Sequence, residues 1–166
     1  MFQTRDPKDL SVNFFSLLSD RWGLVTAADG EGCNPMTVSW GGVGVLWNKP
    51  VATVYLRPQR YTYGLMEQNE FYSLSFLPAD RHDVVALCGS KSGRDTDKTA
   101  ACGLTVCRDQ SAPYFAEAEL VLICRKLYAQ DLKPECFVEK ALDGKNYPNH
   151  DYHRMYIGEI VSVLQK

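Results

Sequence analysis

Arg57-Pro58-Gln59-Arg60-Tyr61-Thr62 places two guanidinium groups, a phenol and a hydroxyl just ahead of a stretch with helical spacing. A helix start leaves unpaired N–H groups and the positive end of the backbone dipole, which together attract anions. Arg60 adds a planar fork of donors suited to a phosphate, and Thr62 adds a hydroxyl. A solvated turn with a capping threonine is the plainer reading of the same residues. Ser90-Lys91-Ser92-Gly93-Arg94 is a second candidate, with a compact cation between two hydroxyls and a flexible backbone. Its plainer reading is a polar connector, and it lacks the glycine spacing of a nucleotide-binding P-loop. Upstream, Asn34-Pro35-Met36-Thr37-Val38-Ser39-Trp40 mixes small, hydroxylated and aromatic residues. The combination suits a flat, polar-edged aromatic ligand that carries a phosphate.

Other chemistries find less support. His150 and His153 are three apart, but the segment follows Tyr147-Pro148-Asn149 and leads into a strand, so a metal pair on one helix face is not expected. Six cysteines (Cys33, Cys88, Cys102, Cys107, Cys124 and Cys136) include no Cys-x-x-Cys, and zinc sites usually space their ligands more tightly. They read as free thiols, with Cys33 exposed in a hairpin turn. No nucleophile elbow and no Gly-x-Gly-x-x-Gly fingerprint is present. Any nicotinamide would therefore bind transiently rather than on a Rossmann unit.

The elements that must position these residues are mostly strands. Leu10, Phe14, Leu17 and Leu18 recur at helical spacing and predict an amphipathic helix over residues 9–20. Residues 22–28 and 35–40 read as two strands of a hairpin, turned at 29–34 by Gly30 and Gly32. In the second of these, alternation puts Met36, Val38 and Trp40 on one face and Thr37 and Ser39 on the other. Further strands are expected at 41–47, 51–57, 70–77, 117–129 and 154–164. Helices are expected at 63–69 with Thr62 as cap, at 80–89 ending on Gly89, and at 95–102 with Asp95 as cap. Several strands broken by short helices predict a closed antiparallel barrel with helical insertions.

The chain has 166 residues, 45% hydrophobic and 23% charged, and a formal net charge of -2. That length predicts a single domain over residues 1–166 with an ample core. Scattered basic residues in a slightly acidic chain offer no field to gather nucleic acid. No apolar run approaches the roughly 20 residues of a membrane-spanning helix, and Met1-Phe2-Gln3-Thr4-Arg5 lacks a secretory pattern, so a cytoplasmic protein is expected.

Three blocks carry a resemblance: residues 34–62, Cys88 to Lys98, and Tyr156-Ile157-Gly158-Glu159-Ile160. Together they resemble the FMN-binding split-barrel proteins of the flavin reductase-like group, and its flavoredoxin branch above all. The resemblance implies a mainly β, six-stranded antiparallel Greek-key split barrel with short helical insertions. It implies FMN as cofactor, with its phosphate at Arg60, Tyr61 and Thr62, and with Ser90, Lys91 and Ser92 facing the phosphate and ribityl chain. It implies that Asn34, Met36, Thr37, Val38 and Ser39 lie along the isoalloxazine; on the cysteine and histidine spacing above, no metal is expected. His153 matches a histidine that shapes the nicotinamide or acceptor pocket, or donates to a reduced flavin. A homodimer is also implied, with NAD(P)H or a redox protein as partner. Three readings stay open: an electron carrier that retains FMN, an NAD(P)H-dependent flavin reductase, and a non-catalytic flavin- or haem-binding barrel.

Overall fold

The computed structural model describes every residue from Met1 to Lys166. Its strands are β1 (Gln3–Arg5), β2 (Gly23–Asp29), β3 (Gly32–Val38), β4 (Gly41–Leu46), β5 (Lys49–Leu56), β6 (Phe71–Phe76), β7 (Val106–Cys107), β8 (Tyr114–Phe115), β9 (Leu120–Asp131) and β10 (Arg154–Gln165). The α-helices are short: α1 (Phe14–Ser16), α2 (Tyr61–Gln68), α3 (His82–Ser90), α4 (Lys98–Ala101) and α5 (Ala141–Asn146). No helix is long and apolar enough to cross a membrane.

One antiparallel sheet runs in the order β3-β2-β6-β9-β10-β5-β4. β10 is long enough to serve two neighbours on one side. Its first half pairs with β5, and Val163–Gln165 pair with β1. Two bulges between β9 and β10, one at Leu127 of β9 and one at Val161 of β10, add local twist as the sheet curls. β7 and β8 form a separate small ribbon.

Period-two alternation fills both faces of the curl. Leu120, Leu122 and Cys124 of β9 point inward to Val25, Val54, Leu56, Tyr72, Phe76 and Tyr156. Val121 and Ile123, between them, join Leu24, Val84, Val85, Cys88 and Phe115 in a second core outside the sheet. That outer core anchors α3 and, through it, one wall of the site.

The mainly β split barrel agrees with expectation, and the differences are local. The sheet has eight strands rather than six, because short β1 and the glycine-rich β4 both join it. Its hydrogen bonding ends at β3 and β4 instead of closing. The edge of β3 is taken by α2, α3 and α4, which pack there in place of a strand. The first helix begins at Phe14, five residues later than its spacing predicts. Asn13 caps it, accepting from the N–H groups of Phe15 and Ser16, and a wider helical turn Leu17–Arg21 buries Leu17 and Leu18.

Four caps and turns also move. Thr62 lies inside α2, whose N-cap position is Arg60. Asp97, not Asp95, caps α4, accepting from Ala100 N–H at 3.1 Å and Thr99 Oγ1 at 2.6 Å. Cys33 sits half-buried in β3 rather than in the turn, and desolvation pushes its thiol up to about 11. Gly89 does not end α3, which runs on to Ser90.

Candidate functional site

Two adjoining hollows, about 230 and 140 Å³, share Met36 and Arg60 and form one cleft along the β3 edge. The larger is lined by Met36–Trp40, Tyr55, Arg57, Arg60, Gly89 and His153. The smaller is lined by Gln59–Thr62, Ser90–Gly93, Lys98, Met36 and Arg60. Of the sequence-derived residues, only Asn34 lines neither. All five residues from Met36 to Trp40 reach the cleft, because β3 is an edge strand whose backbone borders the opening and Ser39 and Trp40 follow its end at Val38.

The smaller hollow is built around the start of α2. The N–H groups of Tyr61 and Thr62 have no acceptor within the chain, as a helix N-terminus dictates. Arg60 Nη2 donates to the Gly89 carbonyl at 2.5 Å, which fixes the guanidinium between α2 and α3 and leaves its other donors to the cleft. Thr62 is buried, and its Oγ1 accepts from Asn34 Nδ2 at 2.7 Å. Tyr61 Oη donates to Asp29 at 2.7 Å, and Arg94 lies 5.4 Å over the Tyr61 ring. Lys91 is exposed at the rim, and Ser90 and Ser92 make only local hydrogen bonds.

Two glycines allow these walls to meet. A Cβ on Gly93 would stand 2.2 Å from Asn34 Oδ1 and 2.5 Å from Tyr61 Cδ1. A Cβ on Gly89 would press on Thr37 Cβ at 3.2 Å. Larger residues at either position would push the 89–93 stretch off β3 and α2.

Lys98 is the residue that sequence reasoning passed over. It is 3% exposed, and Nζ donates to the carbonyls of Pro35 and Cys88, both at 2.9 Å. Desolvation lowers its pKa. Two carbonyl contacts leave one N–H of the ammonium for the hollow it lines. The sequence gives it no local mark, since a lysine behind Asp97 at a helix start reads as a solvated surface residue.

At the other end, His153 Nδ1 and Tyr147 Oη are 2.9 Å apart, and the Trp40 ring tilts against the imidazole at 5.1 Å. Desolvation, aided by Arg57, pulls the His153 pKa down to about 4, so the ring is neutral at neutral pH. Arg57 pairs with Asp151, donates to the Asn146 carbonyl at 2.9 Å and covers the Tyr147 ring at 5.1 Å. Its hydrogen bond, with one from Gln59 at 2.7 Å, holds the Asp151 carboxyl below the usual carboxylate range. Trp40 and Tyr55, read from sequence as barrel residues, border the cleft beside this network.

The lining of both hollows contains Arg57, Arg60, Lys91 and Lys98 and no Asp or Glu. Such a cleft suits an anion at its α2 end and a flat, hydrogen-bonding body along β3. No group of three or more His, Cys, Asp or Glu converges anywhere in the chain.

A family model described as the flavin reductase-like domain matches residues 15–166. The chain belongs to that family. Solved structures of the same fold include an FMN-binding domain of a flavin reductase-like enzyme from Shewanella baltica OS155, with TM-score 0.71 and 18% identity over 99% of this chain and 77% of that one. An FMN-binding protein from Thermus thermophilus, solved with bound 1-cyclohex-2-enone, gives TM-score 0.69 and 23% identity over 99% and 80%. A flavoredoxin from Methanosarcina acetivorans gives 0.68 and 22% over 88% and 68%. No curated protein sequence matches the chain significantly. In this member of the flavin reductase-like family, the match begins at the first helix and includes every residue that lines the cleft.

Proposed function

We propose that the chain binds FMN across the two hollows and passes electrons through it to a second acceptor. The phosphate would lie against Arg60, Thr62, Ser90, Lys91, Ser92 and Lys98, and the ring along Met36–Ser39. The observation that carries this reading is the charge of the lining: four cations and no carboxylate, in a chain of net charge -2. The donor set fits the group. A buried ammonium, a braced guanidinium and two unpaired N–H groups offer charge-assisted contacts to a phosphate. Where it borders the cleft, the β3 backbone offers donors and acceptors to the polar rim of a heterocycle.

When bound, the flavin supplies the hydride and electron chemistry, and the protein supplies binding, orientation and electrostatics. Arg60 and Lys98 hold the anion. Asn34 acts through Thr62, fixing its hydroxyl by the bond described above. Tyr147 occupies His153 Nδ1, so Nε2 is the nitrogen left to meet the ring or an incoming donor. Because His153 stays neutral, it serves as a hydrogen-bonding group rather than a cation. NAD(P)H or a redox protein would approach from the exposed Trp40 side.

A second copy of the chain is the proposed partner at β4. That strand ends the sheet with Val45 78% exposed, Trp47 just past it is 56% exposed, and Phe15 stands 88% exposed nearby. Covering such an edge removes an aggregation hazard.

The test is the visible spectrum of the purified protein, with its chromophore released and identified by chromatography. Yellow protein yielding FMN at one per subunit supports retained flavin. Colourless protein that binds FMN weakly and consumes NAD(P)H would favour a reductase that uses flavin as substrate. Full flavin occupancy with no turnover from any donor would favour a non-catalytic barrel.

A further inference from the structure

We infer that Cys88 and Cys102 form a dithiol–disulfide couple, closed by a hydroperoxide and reopened by a thiol reductant, that clamps the loop at the anion end of the cleft. The two sulfurs stand 3.9 Å apart, and no other pair of the six thiols makes a sulfur–sulfur contact. A disulfide brings sulfurs to about 2.05 Å. The remaining gap is within reach of side-chain rotation and a small adjustment where α4 ends.

The position of the pair is what gives it consequence. Cys88 lies on α3 and Cys102 directly follows α4, so a bond between them staples the stretch that carries Ser90, Lys91, Ser92 and Lys98. The Cys88 carbonyl accepts from Lys98 Nζ at 2.9 Å, and the next carbonyl, that of Gly89, accepts from Arg60 Nη2 at 2.5 Å. The thiols therefore sit behind the turn of α3 that holds two of the cleft's cations. Stapling that turn preserves both contacts and restricts the opening of the loop.

The chemistry balances with hydrogen peroxide as the oxidant. Cys88 is fully buried and Cys102 is half-buried, so Cys102 meets peroxide first. Its thiolate attacks one peroxide oxygen, forming S–O as O–O breaks and hydroxide leaves to take up a proton. Cys88 then attacks the Cys102 sulfur. S–S forms, S–O breaks, and the Cys88 proton leaves with the hydroxide as water. Overall, two thiols and one peroxide give one disulfide and two waters. Two thiols of a reductant reverse it by exchange.

The effect on the cofactor rests on the FMN reading, whereas bond formation does not, and the experiment separates them. FMN-free protein carrying Cys136→Ser, which removes the exposed thiol, is treated with hydrogen peroxide. It is then alkylated and mapped by peptide mass spectrometry, and its melting temperature is recorded before and after dithiothreitol. The expected result is a Cys88–Cys102 disulfide and a Tm raised by roughly 5 °C or more, reversed by reductant. Cys102→Ser should abolish both changes. FMN dissociation, followed by fluorescence, should slow several-fold in the oxidised form. Thiols that stay free, or a Cys102 that over-oxidises without pairing, would overturn the couple. A disulfide that forms and leaves FMN release unchanged would overturn the clamp. Reduced protein without FMN affinity would count against the flavin reading instead, and the mass map and Tm would still decide the couple.

Discussion

Asn34 Nδ2 donates to Thr62 Oγ1 at 2.7 Å, a bond between two buried side chains that ties the edge strand β3 to the first turn of α2. Residues 28 apart in sequence thereby fix the angle at which the helix start faces the cleft. Thr62→Val keeps the side-chain shape and removes the acceptor, leaving a buried amide N–H short of a partner. The expected cost is about 1–3 kcal/mol of stability, read from urea unfolding, with Thr62→Ser losing much less. An unchanged midpoint for Thr62→Val would mean that the bond contributes nothing.

Gly93→Ala is expected to disturb the same corner from the opposite side. Its Cβ would overlap Asn34 Oδ1, and neither neighbour there is a loose side-chain end, since Asn34 is buried and Tyr61 is tethered to Asp29. Overpacking of this kind typically costs about 1–3 kcal/mol. FMN affinity should fall with it, because the 90–93 stretch must move away from Arg60. Wild-type stability and affinity in Gly93→Ala would show that the loop is not seated as described.

His153 gives a pH dependence with a definite sign. Its folded pKa of about 4 lies below the ordinary histidine value of about 6.5. The unfolded chain therefore binds the proton more readily, and acid favours unfolding. The contribution is absent above pH 7 and grows as the pH falls from about 6.5 toward 4. His153→Gln removes that loss, so the wild-type-minus-variant difference in unfolding free energy should grow more negative as the pH falls across that window. Parallel profiles for the two proteins would contradict a buried, neutral imidazole.

Much of the barrel was legible from its apolar strands, because β2, β6 and β9 are buried along successive residues and β5 on alternate ones, and that signal is local. Alternation put Trp40 on one strand face with Met36 and Val38. The strand ends at Val38, and the chain leaves the sheet plane there to start β4. Helix caps shifted by one or two residues for a similar reason. Asp95 and Asp97 are equal candidates by type, and only the packing of α4 on β3 selects Asp97. The segments proposed to meet the anion, Arg60–Thr62 and Ser90–Ser92, could be read from residue types and turn chemistry. Lys98 could not, because its burial arises from two carbonyls supplied by β3 and α3, distant elements that no local pattern reports. Asn34 was visible as part of the block, but its engagement with Thr62 appears only in three dimensions.

Paired titrations of FMN and riboflavin against the wild-type protein and Arg60→Ala bear most directly on the proposed phosphate seat at the α2 end of the cleft. Arg60 is held toward that end by the Gly89 carbonyl, and its remaining donors face the hollow it shares with Lys98. Loss of a charge-assisted contact is worth roughly 1.5–3 kcal/mol, which is about ten- to a hundredfold in affinity. FMN binding should weaken by that factor while riboflavin binding changes little. Equal weakening of both ligands, or no affinity for either in the wild-type protein, would contradict a phosphate seat at Arg60.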